Sequence, residues 1–164
     1  MLWPRMFACE AEVLQNALAP WLVGAVEHVG STAILGLSAK PILNMIAGVR
    51  SLPDASGAVT VLDGLGYRHA EHRPHEALWF YKQPGQRYDD RTHQLHLTEV
   101  GSSQWRERLA LRDALRASPG LRGQYQTLKL ELAQKTGDLA AFNTAKRPFI
   151  ARVLLTEGID LGGG

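Results

Sequence analysis

A glycine-serine turn between two apolar runs constrains this chain more than any other stretch. The first run, residues 22–29, alternates enough to read as a strand, and the second, residues 42–49, reads as a buried strand. Between them lie Gly30-Ser31-Thr32, then Gly36, then Lys40-Pro41. Gly30 lets the backbone turn tightly and leaves no side chain to block a ligand. Ser31 and Thr32 offer hydroxyls and N–H groups, a donor set suited to phosphate oxygens. Lys40 adds a mobile positive charge. The bland alternative is a turn and nothing more. The stretch is not a P-loop, which needs Gly-Lys-Ser/Thr where this chain has Leu37-Ser38-Ala39-Lys40, and it does not fit the dinucleotide fingerprint.

With 164 residues, 45% of them hydrophobic, the chain is long enough to bury a real core. We expect a single domain over 1–158 and a flexible tail over 159–164. The net charge of +2 gives no reason to expect a nucleic-acid partner. No run approaches the ~18 apolar residues of a membrane span. Cys9 is the only cysteine, so no intramolecular disulfide forms, which fits a reducing cytoplasm.

Along the chain, residues 7–18 read as an amphipathic helix ended by Pro20, and residues 53–65 as a second helix with Gly66 as its C-cap. His69, His72 and His75 form a loose cluster whose spacing fits no standard zinc site, so exposed loop histidines are expected. Residues 78–82 and 94–99 read as the two strands of a hairpin. The C-terminal third is helical. Ser103 can cap a first helix, Ser118-Pro119 opens a second, and Asp138 caps a third. Arg112 and Lys146 fall at helical spacing with the apolar stripes of their helices. Each must therefore reach solvent, pair with an acid such as Asp113 or Glu131, or face an anionic pocket.

The segment His28-Val29-Gly30-Ser31-Thr32-Ala33, continued by Gly36-Leu37-x-Ala39-Lys40-Pro41-Ile42, resembles the hallmark of the GrpB family. The resemblance runs through nearly the whole chain. It includes Trp3-Pro4-Arg5-Met6-Phe7, the stretch from Arg91 to Glu99, Trp105 through Arg116, Tyr125 to Lys129, and Lys146-x-Pro148-Phe149-Ile150. It implies an α/β fold of nucleotidyltransferase type: a small mixed sheet with flanking helices and a helical C-terminal part. In that superfamily the Gly-Ser turn binds a nucleotide triphosphate and an Asp-x-Asp pair on the following strand holds divalent metal. Here those positions are Asn44 and Ile46, which a strand places on one face. Gln94 stands where the family often has His, and Leu35 where it has Pro. A neutral amide can ligate magnesium but brings no charge.

Three functions follow as expectations. The first is a nucleotidyltransferase using Mg²⁺ with a nucleoside triphosphate, in which Glu99 or an acid of Asp89-Asp90 stands in for the missing carboxylates. The second is a metal-independent module that binds a nucleotide or another phosphate or carboxylate ligand. The third is a ligase or transferase using His28 or His96 as acid or base. Across these, the catalytic candidates are His28, His96 and Asn44. The candidates for holding phosphate are Gly30, Ser31, Thr32, Lys40, Arg91, Arg112, Lys129 and Lys146.

Overall fold

The apolar run after Lys40-Pro41 becomes the central strand of a five-stranded mixed sheet in the computed structural model, which describes residues 2–135 and 137–160. The strands are β1 (Glu27–Val29), β2 (Leu43–Val49), β3 (Arg68–Ala70), β4 (Leu78–Lys82) and β5 (His93–Glu99), ordered β1-β2-β5-β4-β3. Only β2 and β5 pair in parallel; the other neighbours are antiparallel. β2 is flanked on both edges, and all its residues but Asn44 are buried, which is why it reads as a nearly continuous apolar run.

The two faces of the sheet differ. Leu43, Met45, Ala47 and Val49 of β2, with Leu95 and Leu97 of β5 and Phe80 of β4, pack against two helices. These are α1 (Trp3–Ala17), through Ala11 and Leu14, and α2 (Ala58–Gly64), through Ala58 and Leu62. The other face carries Asn44, Ile46 and Gly48 beside Gln94, His96 and Thr98. Gly48 is needed there for space: a Cβ would lie 2.4 Å from Val100 Cγ2 and 3.2 Å from the Trp105 ring.

The elements differ from expectation mostly at their ends. The strand expected over 22–29 is regular only at Glu27–Val29. Gly24 adopts φ +80°, outside extended geometry, and Leu22 makes an isolated bridge to Val49. The helix expected over 53–65 opens as a tight 3₁₀ turn before α2, and Gly66 at φ +86° closes it with Tyr67 N–H donating to Leu62 O at 3.0 Å. The expected hairpin is β4 with β5.

The chain divides into two compact units, Met1–Ala33 with Ala39–Trp105, and Ile34–Ser38 with Arg106–Gly164. Three helices build most of the second: α3 (Ser103–Ala117, from Arg106 on), α4 (Pro119–Lys135) and α5 (Leu139–Thr156). Its core is Ile34, Ala114, Leu115, Tyr125, Phe149 and Val153. The cap of α3 is Ser102 rather than Ser103, because its Oγ accepts from Trp105 N–H at 3.3 Å. Ser118 and Asp138 cap α4 and α5 as expected, accepting from Leu121 N–H and Ala140 N–H. Of the tail expected over 159–164, residues 161–164 lie outside the described residues, and Ile159 N–H donates to Leu154 O at 2.9 Å. Among the described residues no helix is long and apolar enough to cross a membrane.

A polar network missed in the sequence ties α1 to the sheet. Glu10 Oε1 accepts from Tyr67 O–H at 2.5 Å and Lys82 Nζ at 2.7 Å, and His93 Nε2 lies 3.9 Å from its other oxygen. Burial alone would raise the Glu10 pKa, but hydrogen bonds from Lys82 and Tyr67 outweigh it and hold the carboxyl below its ordinary value of 4.5. Burial holds His93 below its ordinary 6.5. Both depressed groups therefore stabilise the fold above their unfolded values, and that contribution is lost as pH falls through the folded ones. Thermal unfolding measured from pH 7 downward should show Tm falling on acidification. Glu10→Gln should start lower at pH 7, where Lys82 has lost its counter-charge, and should have a shallower slope below 4.5. An unchanged slope would remove Glu10 from the acid response.

Candidate anion-binding site

The Gly-Ser turn is held from behind. Val29, the last residue of β1, pairs with Asn44, and Gly30 turns the chain at φ +74°. Ala33 N–H donates to Gly30 O at 3.1 Å, closing the turn over Ser31–Ala33. A Cβ on Gly30 would lie 3.0 Å from Asn44 Nδ2 and 3.2 Å from Asn44 Cβ, so glycine here lets the Asn44 side chain lie against the turn. Thr32 is buried, and its hydroxyl donates to Ile42 O at 3.1 Å. That uses its one proton, so at 2.9 Å it accepts from His28, whose imidazole carries its proton on Nε2.

His28 is paired with Met45 and stacks on Phe7 of α1 at 4.9 Å, placing it on the helix-covered face, opposite Asn44 and His96. His28 and Thr32 thus brace the turn from within. Gly30, which is exposed, and Ser31, which is half-buried, are its outer residues.

The opposite face is arranged in cross-strand rows. One row is Val29, Asn44, Gln94 and Tyr81; the next is Glu27, Ile46, His96 and Trp79; a third is Gly48 with Thr98. His96 is 2% exposed and meets the Trp79 ring edge at 4.1 Å. Asn44 and Gln94 are direct partners on parallel strands, so two neutral amides sit side by side.

This donor set does not fit a carboxylate-held magnesium ion, which favours charged oxygens. Ile46 is fully buried and apolar. Glu99 lies on the other face and accepts from Leu52 N–H at 3.1 Å. Asp90 accepts from Arg87 N–H at 2.8 Å, and Asp89 faces the Arg87 guanidinium at 4.0 Å. Neither Glu99 nor the Asp89-Asp90 pair supplies the missing acids. Among the described residues no group of three or more His, Cys, Asp or Glu could hold a metal. Of the three clustered histidines, His69 lies in β3 stacked on Phe80, and His72 meets the Trp79 edge.

Arg91 closes the amide row. Its guanidinium lies over the Tyr81 ring at 4.0 Å and the Tyr88 ring at 4.3 Å, and its Nε donates to Gln83 Oε1 at 3.3 Å. The Nη groups make no hydrogen bond with a described residue. Two aromatic faces hold the plane of the fork while its donor edge stays available, the geometry that suits bidentate binding of phosphate or carboxylate. Lys40 belongs to the same unit and is exposed.

In the second unit, Arg112 Nε donates to Asp113 Oδ1 at 2.8 Å, so pairing with an acid is realised for that residue. Lys129 Nζ donates to Ser38 O at 2.9 Å. Lys146 Nζ lies over the Phe142 ring at 4.8 Å. Burial, and then the charge of Lys146, push the Lys129 amine down to about 8. Burial and then Arg108 lower Lys146, and burial lowers Arg108 against the opposing pull of Glu107.

The description "GrpB protein" matches residues 1–155. The chain belongs to the GrpB family. It is 35% identical over 154 residues to a UPF0157 protein of Pseudomonas aeruginosa, covering 93% of this chain and 62% of that one, so it spans about three fifths of that relative's length. Its fold is similar to the crystal structure of conserved protein GrpB from Enterococcus faecalis, with a TM-score of 0.78 at 29% identity, over 92% of this chain and 89% of that one. A more distant likeness, 29% identity over 147 residues, is to dephospho-CoA kinase of Mycobacterium bovis, where 36% of that protein is covered.

This GrpB chain therefore brings Gly30, Ser31, Asn44, Gln94 and Arg91 to one unit, while Arg112, Lys129 and Lys146 belong to the other. Two residues were missed in the sequence. Tyr88 was lost in a polar loop. Arg108 lies one turn before Arg112 on the same helical stripe, a spacing that was there to be read. Thr32→Val should leave the His28 donor and the Ile42 carbonyl unpaired, costing about 1–3 kcal/mol of stability. Urea unfolding measures the cost, and an unchanged midpoint would show that the relay does not brace the turn.

Proposed function

We propose that the first unit binds a small molecule bearing phosphate or carboxylate, a nucleotide being the ligand that the family resemblance favours. It does so without a metal held by carboxylates. The Arg91 fork between Tyr81 and Tyr88 carries this reading. Gly30 and Ser31 offer backbone donors at one end of the Asn44–Gln94 row, and Arg91 offers a planar cation at the other. The neutral amides add hydrogen bonds without charge. The likeness to one stretch of a dephospho-CoA kinase is compatible with a nucleotide-related ligand. We place the protein in a reducing cytoplasm, which suits its exposed free Cys9.

Nucleotidyl transfer to a small acceptor is the second reading, favoured by the retained Gly30-Ser31 turn. Titration calorimetry with ATP, in EDTA and again in magnesium, separates the two. The binding reading expects equal affinity in both, weakened about tenfold or more by Arg91→Ala. Arg91→Lys should not rescue it, because an ammonium cannot present a stacked planar fork. Binding only with magnesium, together with pyrophosphate release, would overturn this reading in favour of transfer. Asn44→Asp should introduce magnesium-enhanced ATP binding if position 44 faces the ligand, and unchanged metal dependence would remove Asn44 from the site.

A further inference from the structure

The second unit carries a layer of three cations on three different helices. Tyr125 of α4 stacks on Phe149 of α5, with ring centres 5.5 Å apart. One turn beyond Tyr125 on α4 is Lys129, and one turn before Phe149 on α5 is Lys146, so both lysines flank the same stacked pair. On α3, Leu111 packs against this core, and Arg108 lies one turn before it. The three charges act on one another: Arg108 bears on Lys146, and Lys146 bears on Lys129.

Gathering like charges on rigid, half-buried helices is unfavourable unless something negative offsets them. Glu107 bears on Arg108 and is the one carboxylate that acts on the trio. Lys129 reaches a carbonyl, Ser38 O. Lys146 meets no carboxylate and no hydrogen-bond acceptor among the described residues, and its ammonium rests over the Phe142 ring. The arrangement is that of a receptor for a multiply charged anion.

We propose that Arg108, Lys129 and Lys146 form a phosphate site of the second unit, separate from the Arg91 fork and suited to a diphosphate or triphosphate group. A singly charged carboxylate would offset only part of the layer, whereas a pyrophosphate group carries enough charge and oxygens to meet three donors. The group is supplied either by free pyrophosphate or by the phosphate tail of a nucleotide.

The test is titration calorimetry of the full chain in EDTA with pyrophosphate, ATP and acetate. Wild type should bind pyrophosphate and not acetate at this site. Lys146→Met and Lys129→Met should each weaken pyrophosphate binding by about tenfold or more. Arg91→Ala should leave pyrophosphate affinity unchanged. A parallel loss of ATP affinity in the lysine variants assigns the site to a nucleotide tail, and an unaltered ATP affinity assigns it to the free anion. Thermal unfolding adds a readout that a purely structural lysine would not give. Lys146→Met removes a like charge, so its Tm should equal or exceed that of wild type. Pyrophosphate affinity unmoved by both lysine substitutions would overturn the proposal, as would a wild type that does not bind pyrophosphate. Should Arg91→Ala leave ATP affinity intact while the lysine variants lose pyrophosphate, the first-unit reading fails and this one stands.

Discussion

The parallel pairing of β2 with β5 is the constraint on which the first unit depends. It is the one parallel contact in the sheet, and it joins segments separated by more than forty residues of helix and hairpin. Its register places Leu43, Met45, Ala47 and Val49 beside His93, Leu95, Leu97 and Glu99 on one face, and Asn44, Ile46 and Gly48 beside Gln94, His96 and Thr98 on the other. A slip of one residue would exchange these sets and drive Asn44 and Gln94 into the helix-covered core. The apolar set under α1 and α2 therefore enforces where the amides appear. Folding and site are here one question of register.

The same economy shows at the turn. A ligand-facing loop needs open backbone, and open backbone needs something to hold it still. Thr32 and His28, residues that look like ligand donors in the sequence, hold the turn by bonding inward to Ile42 O and to each other. Gly30 completes it by leaving room for Asn44. Pre-organisation comes from the residues beneath the site, and the outer surface is left to Gly30 and Ser31.

The two units treat positive charge differently. In the first, Arg91 is fixed by stacking on Tyr81 and Tyr88, which orients its fork while leaving it charged and accessible. In the second, Lys129 and Lys146 are partly withdrawn from water near Arg108, so their charged forms are destabilised. Stacking orients a charge, whereas desolvation makes it responsive to what arrives.

Read alone, the sequence determined the features that periodicity and local chemistry encode. These are the buried run that becomes β2, the β4–β5 hairpin, the caps at Ser118 and Asp138, the glycine turn, and the family. Each depends on neighbours a few residues apart, where the physics is local. Tertiary structure alone decided what depends on distant partners. It put His28 and His96 on opposite faces, turned Glu99 toward Leu52, and joined Glu10 to Lys82 and Tyr67. It also brought Arg91 between two tyrosines and set Arg108 within electrostatic reach of Lys146. Side-chain type says what a residue can bond to. Which face it occupies, and which partner has already taken its donor, follow from strand register and helix packing, and those are set by the burial of the apolar core as a whole.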